Sequence, residues 1–263
     1  MKIRKLMSVV IIICFVVCHS VSATGIGAVP EDSFFKKEVI GIIAPYVMGF
    51  DEKTVTRLDC VRSIMKLIGV EEASAKVWGE HTVYGEMPFA DIDIDAANIE
   101  YGYTMLAWWY GIVIDTRTDK YGENIFEADK GIRVGECLAV MLSCLTDTKT
   151  VRSGDIAELS VRFGLINKEE AEELILDSLL QNKQFYVLLS RMLDKPCYKY
   201  WPYAEKSDFI SLFEKRLGTD THGSLSYLEY WYKKQEVEFC RYEEFMSIEP
   251  NDENSIYTQV YAN

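Results

Sequence analysis

The residues that could carry chemistry in this chain are few, and their spacing argues against catalysis. His81 and His222 are the histidines beyond residue 23, and neither has a Cys or another His nearby at metal-ligand spacing. Both read as exposed loop residues. There is no Gly-x-Ser-x-Gly elbow, no phosphate-binding Gly-rich loop and no His-Glu-x-x-His pair. Carboxylates are plentiful, but no nucleophile–base arrangement can be nominated, so no catalytic residue and no enzyme is expected. Asp91-Ile92-Asp93-Ile94-Asp95 raises calcium chemistry. An EF-hand loop started at Asp91 would need Gly at its sixth place and Glu at its twelfth, where this chain has Ala96 and Gly102. The better expectation is structural: Asp91 opens an element, Asp95 caps a helix beginning at Ala96, and Ile92 and Ile94 face a core. No metal and no cofactor are expected.

The elements that must position any site recur three times. Each copy has a Gly followed by two aliphatic residues: Gly41-Ile42-Ile43, Gly111-Ile112-Val113 and Gly164-Leu165-Ile166. Each is followed by a helix with one apolar spacing, i, i+4, i+7, i+8. The stripes are Cys60, Ile64, Leu67, Ile68, then Cys137, Met141, Cys144, Leu145, then Phe185, Leu189, Met192, Leu193. One such unit cannot bury its own apolar face, so the copies are expected to pack on each other.

Residues 1–23 read as a signal peptide. Lys2, Arg4 and Lys5 precede an apolar run from Val9 to Val17, and Val21-Ser22-Ala23 is a small-residue cleavage site. Nothing later is long and apolar enough to span a membrane. The net charge of −13 loses three positive charges with the signal and becomes roughly −16, which disfavours nucleic acid and anionic membrane surfaces as partners. Of seven cysteines, Cys14 and Cys18 fall within the signal. Cys60, Cys137 and Cys144 lie on the apolar stripes and are expected to be reduced and buried. A Cys197–Cys240 bridge stays open. Sparing disulfide use in an exported protein fits a Gram-positive bacterium.

Along the chain, a first helix is expected over about Ser33 to Ile43. A second opens at Thr56, where Thr56-Arg57-Leu58-Asp59 has capping-box spacing with Asp in place of Glu. Residues 70–88 read as an insertion. The second copy has helices from about Ala96 to Tyr110 and Arg133 to Leu145, separated by a polar loop from Asp115 to Lys130. The third runs from about Ser153 to Leu193. Beyond Pro196 the chain is rich in aromatic residues, among them Tyr198, Trp201, Tyr227, Tyr230, Trp231 and Tyr232. Lys206 to Leu217 has a helical pattern, and Ser224 to Met246 is ambiguous between helix and strands. These aromatics can fill a core against the repeats or form a contact surface.

These features resemble the S-layer homology family. The first copy resembles its repeat through Gly41-Ile42-Ile43, Gly49-Phe50 and Val55-Thr56-Arg57-Leu58-Asp59-Cys60. The second does so through Phe89-Ala90-Asp91, Gly111-Ile112-Val113, Phe126 and Glu136-Cys137, and the third through Gly164-Leu165-Ile166 and Gln184-Phe185. The resemblance covers about residues 33–194, with copies at about 33–69, 89–145 and 153–194 inside a repeat region at 24–195 and a C-terminal extension at 196–263.

The resemblance implies a mainly α fold, with three helix-loop-helix repeats in a pseudo-threefold trefoil. It implies a secreted protein at the cell wall or S-layer, bound non-covalently to a secondary cell-wall polysaccharide. The family's motif Arg reads an anionic sugar substituent, because a guanidinium forks onto a carboxylate and the helix start offers free N–H groups. Only Arg57 stands at that place; Val134 and Asn182 take it in the other copies, with Arg133 one residue early. The glycan-binding candidates are therefore Arg57, Arg133 and Trp109. Thr56, Asp59, Gly41, Gly111, Gly164 and Glu136 carry the structural motif. The alternative is a secreted protein- or glycan-binding protein that uses degenerate repeats as scaffold and the extension as contact surface.

Overall fold

The computed structural model describes residues 26–27, 29–70, 72–73, 75–76, 89–92, 99–112, 117–146, 153–196, 225–232 and 234. The expected signal peptide, the 70–88 insertion beyond its first residues, both loop histidines, Asp93, Asp95, Cys197, Cys240 and the Lys206–Leu217 helix lie outside the described residues.

The described chain is mainly helical. Its helices are α1 (Phe34–Ile43), α2 (Arg57–Leu67), α3 (Ile99–Trp109), α4 (Val134–Leu145), α5 (Ile156–Arg162), α6 (Lys168–Glu173) and α7 (Asn182–Leu193). A 3-10 turn at Pro45–Gly49 follows α1. A two-residue hairpin pairs β1 (Arg117–Thr118) with β2 (Asn124–Ile125), with Arg117 opposite Ile125. No helix among the described residues is long and apolar enough to cross a membrane.

The three stripes expected from spacing lie in the core. All twelve stripe residues are buried, Leu145 at 2 % exposure being the most open. They lie on α2, α4 and α7 or, for Ile68, at the C-cap of α2, and the first helical residue of each is Arg57, Val134 or Asn182.

The starts of these three helices are tied in a closed ring. The Val55 N–H donates to Leu180 O, the Leu180 N–H to Ile132 O, and the Ile132 N–H back to Val55 O, each at 2.9 Å. A second cycle, running in the opposite sense, forms at the first helical residue. Arg57 donates to Lys130 O at 2.8 Å, Val134 to Ser178 O at 2.9 Å and Asn182 to Lys53 O at 2.9 Å. It repeats again one residue on, from Leu58 to Ala128 O, Gly135 to Leu176 O and Lys183 to Asp51 O. Helix-start N–H groups have no intrahelical partner, so pairing them with the neighbouring segment satisfies groups whose burial would otherwise be costly. At the ring Gly131 is hemmed in: a Cβ there would lie 2.6 Å from Thr54 Cγ2 and 3.0 Å from Leu179 Cδ2.

Three features of the sequence reading are corrected. Gly111 and Gly164 end helices in the left-handed region, at φ 63° and 66°. Their following residues close six-residue loops back onto the helix, Ile112 N–H to Ala107 O and Leu165 N–H to Ser160 O, as a Schellman end requires. Gly41 does neither. It lies inside α1 with open space around it, and Ile42 beside it is 49 % exposed. Helix α1 stops at Ala44 because Pro45 follows. The left-handed glycine of the first segment is Gly69, after α2, at φ 97°.

The second correction is a one-residue shift. The ring registers Asp51 with Ala128, so Gly49, not Phe50, corresponds to Phe126. Phe50 corresponds to Glu127, and these two share a left-handed backbone at φ 50° and 54°. Third, only half of the expected capping box forms at α2. Thr56 Oγ1 accepts from the Asp59 N–H at 3.0 Å, but the Asp59 carboxylate turns to Arg62 at 2.6 Å. Asp is one methylene shorter than the usual Glu. In α4, where Glu136 has that length, the carboxylate does reach back to the Arg133 N–H at 2.9 Å.

Candidate functional site

Arg57 sits at the seam between α2 and the segment that opens α4. Only 4 % of the residue is exposed. Its Nε donates to Phe126 O at 2.7 Å, its Nη1 lies 3.0 Å from Glu136 Oε2, and its guanidinium stands 5.5 Å from the centre of the Phe126 ring. Glu136 is held from three sides, by Arg57, by the Arg133 N–H, and by Arg117 Nη2 at 2.8 Å. Arg117 in turn pairs with Glu127. Asp91 fixes the same loop from behind, accepting from Phe126 N–H at 2.7 Å and Glu127 N–H at 2.6 Å.

The electrostatics follow from this closure. Burial pushes the Glu136 carboxyl up, but the Arg133 N–H, Arg117 and Arg57 outweigh it, and the group titrates below the ordinary carboxylate range. Glu136 and Glu127 together hold the Arg117 guanidinium above its usual value against its partial burial. Two guanidinium groups face two carboxylates, so the cluster has no surplus positive charge for an anion. The helix start offers none either, since the first three N–H groups of α2 are taken by Lys130 O, Ala128 O and Thr56 Oγ1. The expectation that Arg57 reads a sugar carboxylate from an open groove therefore meets a buried, neutralised guanidinium that joins two segments.

The other candidates lie in the open. Arg133, the N-cap of α4, is half exposed at its side chain and 3.2 Å from an exposed Asp177. Trp109 is 63 % exposed at the end of α3, edge-to-face with a 40 % exposed Trp108. Arg57 lies buried at the start of α2, whereas Trp109 stands exposed at the end of α3. Thr56 and Asp59 serve the start of α2, and Glu136 serves the seam.

At the third seam the Asn182 side chain donates to Asp51 and to Tyr46 O. Asp32, unremarkable in sequence, is nearly buried and anchors the leader on α7. It accepts from Tyr186 Oη at 2.9 Å and Ser190 Oγ at 2.8 Å, with Lys36 Nζ at 3.4 Å. Burial and this carboxylate raise the Tyr186 phenol well above its usual value. Arg191 forks onto Glu170 at 2.6 and 2.8 Å beside an open pocket of about 520 Å³ lined by Gly164, Ile166, Asn167 and Lys168 among others. Among the described residues no group of three or more His, Cys, Asp or Glu could hold a metal ion. Asp91 is committed to backbone N–H groups.

In the described part of the extension, Tyr227, Tyr230 and Trp231 are core. A helical turn at 227–232 closes the far ends of the ring helices: Trp231 Nε1 donates to Leu67 O at 2.9 Å and Tyr227 Oη to Cys144 O at 3.2 Å. Those carbonyls stand at the same step of α2 and α4. The Tyr227 N–H donates to Lys195 O beyond α7, and Tyr230 packs against Gly69, where a Cβ would fall 2.0 Å from its Oη.

Arg117, Glu127 and Asp32 were missed because single charged residues in loops carry no periodicity. The N3 glutamate of α4, three residues after Arg133, was the usable signal for the seam. Comparison with protein-family models, with curated proteins and with solved structures gives no match to this chain.

Proposed function

We propose that the chain is built on three divergent S-layer homology-like repeats in a pseudo-threefold trefoil, and that it is a secreted bacterial cell-surface protein binding cell-wall polysaccharide non-covalently. The observation that carries this reading is the closed ring of backbone hydrogen bonds. Three stretches exchange backbone hydrogen bonds in three closed cycles, one running through Val55, Leu180 and Ile132 and two running in the opposite sense from the helix starts, the pattern that three equivalent units about one axis would give. The glycan reading depends on the resemblance and on the exposed candidates Arg133 and Trp109. Trp rings offer apolar faces for sugar stacking, and a half-exposed Arg can still meet an anionic substituent.

The test is co-sedimentation of the protein with purified cell-wall sacculi, alongside Trp109→Ala and Arg133→Ala. Binding by the wild type that falls several-fold in either variant supports the reading. Failure of the wild type to sediment overturns it.

One observation favours a second reading. The residue best matched to the family's sugar-reading Arg is consumed by Glu136 and Phe126 O. A trefoil whose ligand contacts have turned inward is a scaffold, and such a protein would bind a protein or glycan through its extension. Tyr232, 55 % exposed and edge-on to Phe35, lies on that surface. Retained sedimentation in Trp109→Ala and Arg133→Ala, but loss in Tyr232→Ala, would select it.

A further inference from the structure

We propose that Cys60 and Cys137 are a dithiol–disulfide pair that can lock the first and second ring segments together. In this structure both are free thiols, fully buried, with their Sγ atoms 3.7 Å apart and 77 positions separating them in the chain. They occupy the same step of two different helices, each four residues after its N-cap, Thr56 or Arg133. The third helix has Phe185 at that step, also fully buried. Cys144 cannot substitute for Cys137, because seven residues of helix place it about 10 Å further along α4.

A disulfide has its sulfurs about 2.05 Å apart, so the pair must close by about 1.7 Å. The backbone around both sites is held by the ring hydrogen bonds of Arg57, Leu58, Val134 and Gly135. Closure would come from side-chain rotation with a small approach of α2 and α4.

The folded pair is shielded from reagents. The thiolate is the nucleophile in exchange, and burial with Cys60 alongside raises the Cys137 thiol well above its usual value. The bond therefore forms before α2 and α4 have closed on each other. The oxidant is a disulfide, either a small molecule or an oxidising protein. The Cys60 thiolate attacks one sulfur of that disulfide, forming a mixed disulfide and expelling one oxidant thiolate. The Cys137 thiolate then attacks Cys60 Sγ and expels the second. The pair gives up two electrons and two protons, and the oxidant ends as two thiols. The lock needs no ligand and is independent of any glycan reading.

The full chain is unfolded under reductant, returned to buffer over a series of oxidised-to-reduced glutathione ratios, quenched in acid, alkylated in denaturant and peptide-mapped. The expected result is a dominant Cys60–Cys137 linked peptide on the oxidising side, with Cys144 alkylated throughout. The oxidised protein should also melt above the reduced one, and Cys137→Ala should abolish that difference. Equal alkylation of Cys60, Cys137 and Cys144 at every ratio, or a dominant bridge using any other cysteine, overturns the proposal on wild-type protein alone, whatever the variant's folding.

Discussion

Replacing Glu136 by Gln tests whether the Arg57 cluster is a structural seam. The substitution keeps side-chain length and the reach to the Arg133 N–H but removes the charge facing two guanidinium groups. The Arg57 and Glu136 side chains are only 5 % and 12 % exposed, so solvent does little to replace the lost partner. Breaking a buried pair from one side costs about 3–5 kcal/mol, because the remaining charge stays buried without compensation. Arg57 keeps its bond to Phe126 O, which argues for the lower end, about 3 kcal/mol. For a chain of this size each kcal/mol moves the melting temperature by about 2–4 °C, so a fall of about 6–12 °C is expected. Circular dichroism melts and urea titrations read both quantities. Asp177→Asn, which removes an 88 % exposed partner from Arg133, is the control and should leave the melt unchanged. Combining Glu136→Gln with Arg57→Met should cost less than the sum of the single changes, since the orphaned charge is then gone. Equal melts for Glu136→Gln and Asp177→Asn, or strict additivity in the double variant, would refute the seam.

Acid should weaken the fold through the same residues. Glu136 and Glu170 titrate below their ordinary value in the folded state, so their stabilising contribution is complete above the unfolded pKa of about 4.3 and is lost as the pH falls through the folded value. Melting temperature measured against pH should therefore turn down below about pH 4.5, less steeply in Glu136→Gln. The glycines should separate by context. Gly41→Ala, in open space inside α1, is expected to stabilise by about 0.5–1 kcal/mol. Gly131→Ala is expected to cost about 1 kcal/mol or less, because its Cβ meets only the side-chain ends of Thr54 and Leu179, both exposed and able to shift. Matched urea titrations decide both, and a destabilising Gly41→Ala would refute the reading of open space around that residue. Trp231→Ala should cost about 3–5 kcal/mol, since it empties a buried site and leaves Leu67 O without its donor. An unchanged urea midpoint would make the turn at 227–232 a detachable surface.

The helices that build the ring were readable because burial imposes period. Cys60, Cys137 and Phe185 differ in size and chemistry, yet each stands at the start of an i, i+4, i+7, i+8 stripe that is buried along its length. Gly111 and Gly164 were readable because a left-handed helix end favours glycine. Gly41 shared their local pattern without their conformation, and what decided its case was Pro45, which ends α1 by a different means. The seam was half readable. Glu136 announced itself through its place in a capped helix, whereas Arg117 and Glu127 reach it from a hairpin whose pairing has no sequence period. Arg57 was found by type and position, but its direction was not legible. Whether a guanidinium at a helix start faces solvent or a neighbouring carbonyl depends on where Phe126 O arrives, and that is set by Asp91 holding the loop some 35 residues earlier in the chain.

Under the proposed repeat reading, the ring accounts for how little residue identity the three copies share. Its cyclic contacts run through backbone N–H and C=O groups, which every residue but proline supplies. Side chains at the first helical residue are then free to change, and they have: Arg57 turns to Phe126 O and Glu136, Asn182 turns to Asp51, and Val134 offers no polar group at all. The Arg57 and Asn182 side chains still join one segment to the next, and Val134 does so through its backbone N–H to Ser178 O. Because each segment donates to and accepts from both neighbours, removing any one strands donors and acceptors on both remaining faces. Selection for the fold therefore acts on apolar stripes and backbone closure, while ligand contacts can drift or turn inward. Under the proposed repeat reading, this is why the scaffold is better kept than the sugar-reading residues, and why wall binding must be tested at Arg133 and Trp109 rather than inferred from Arg57.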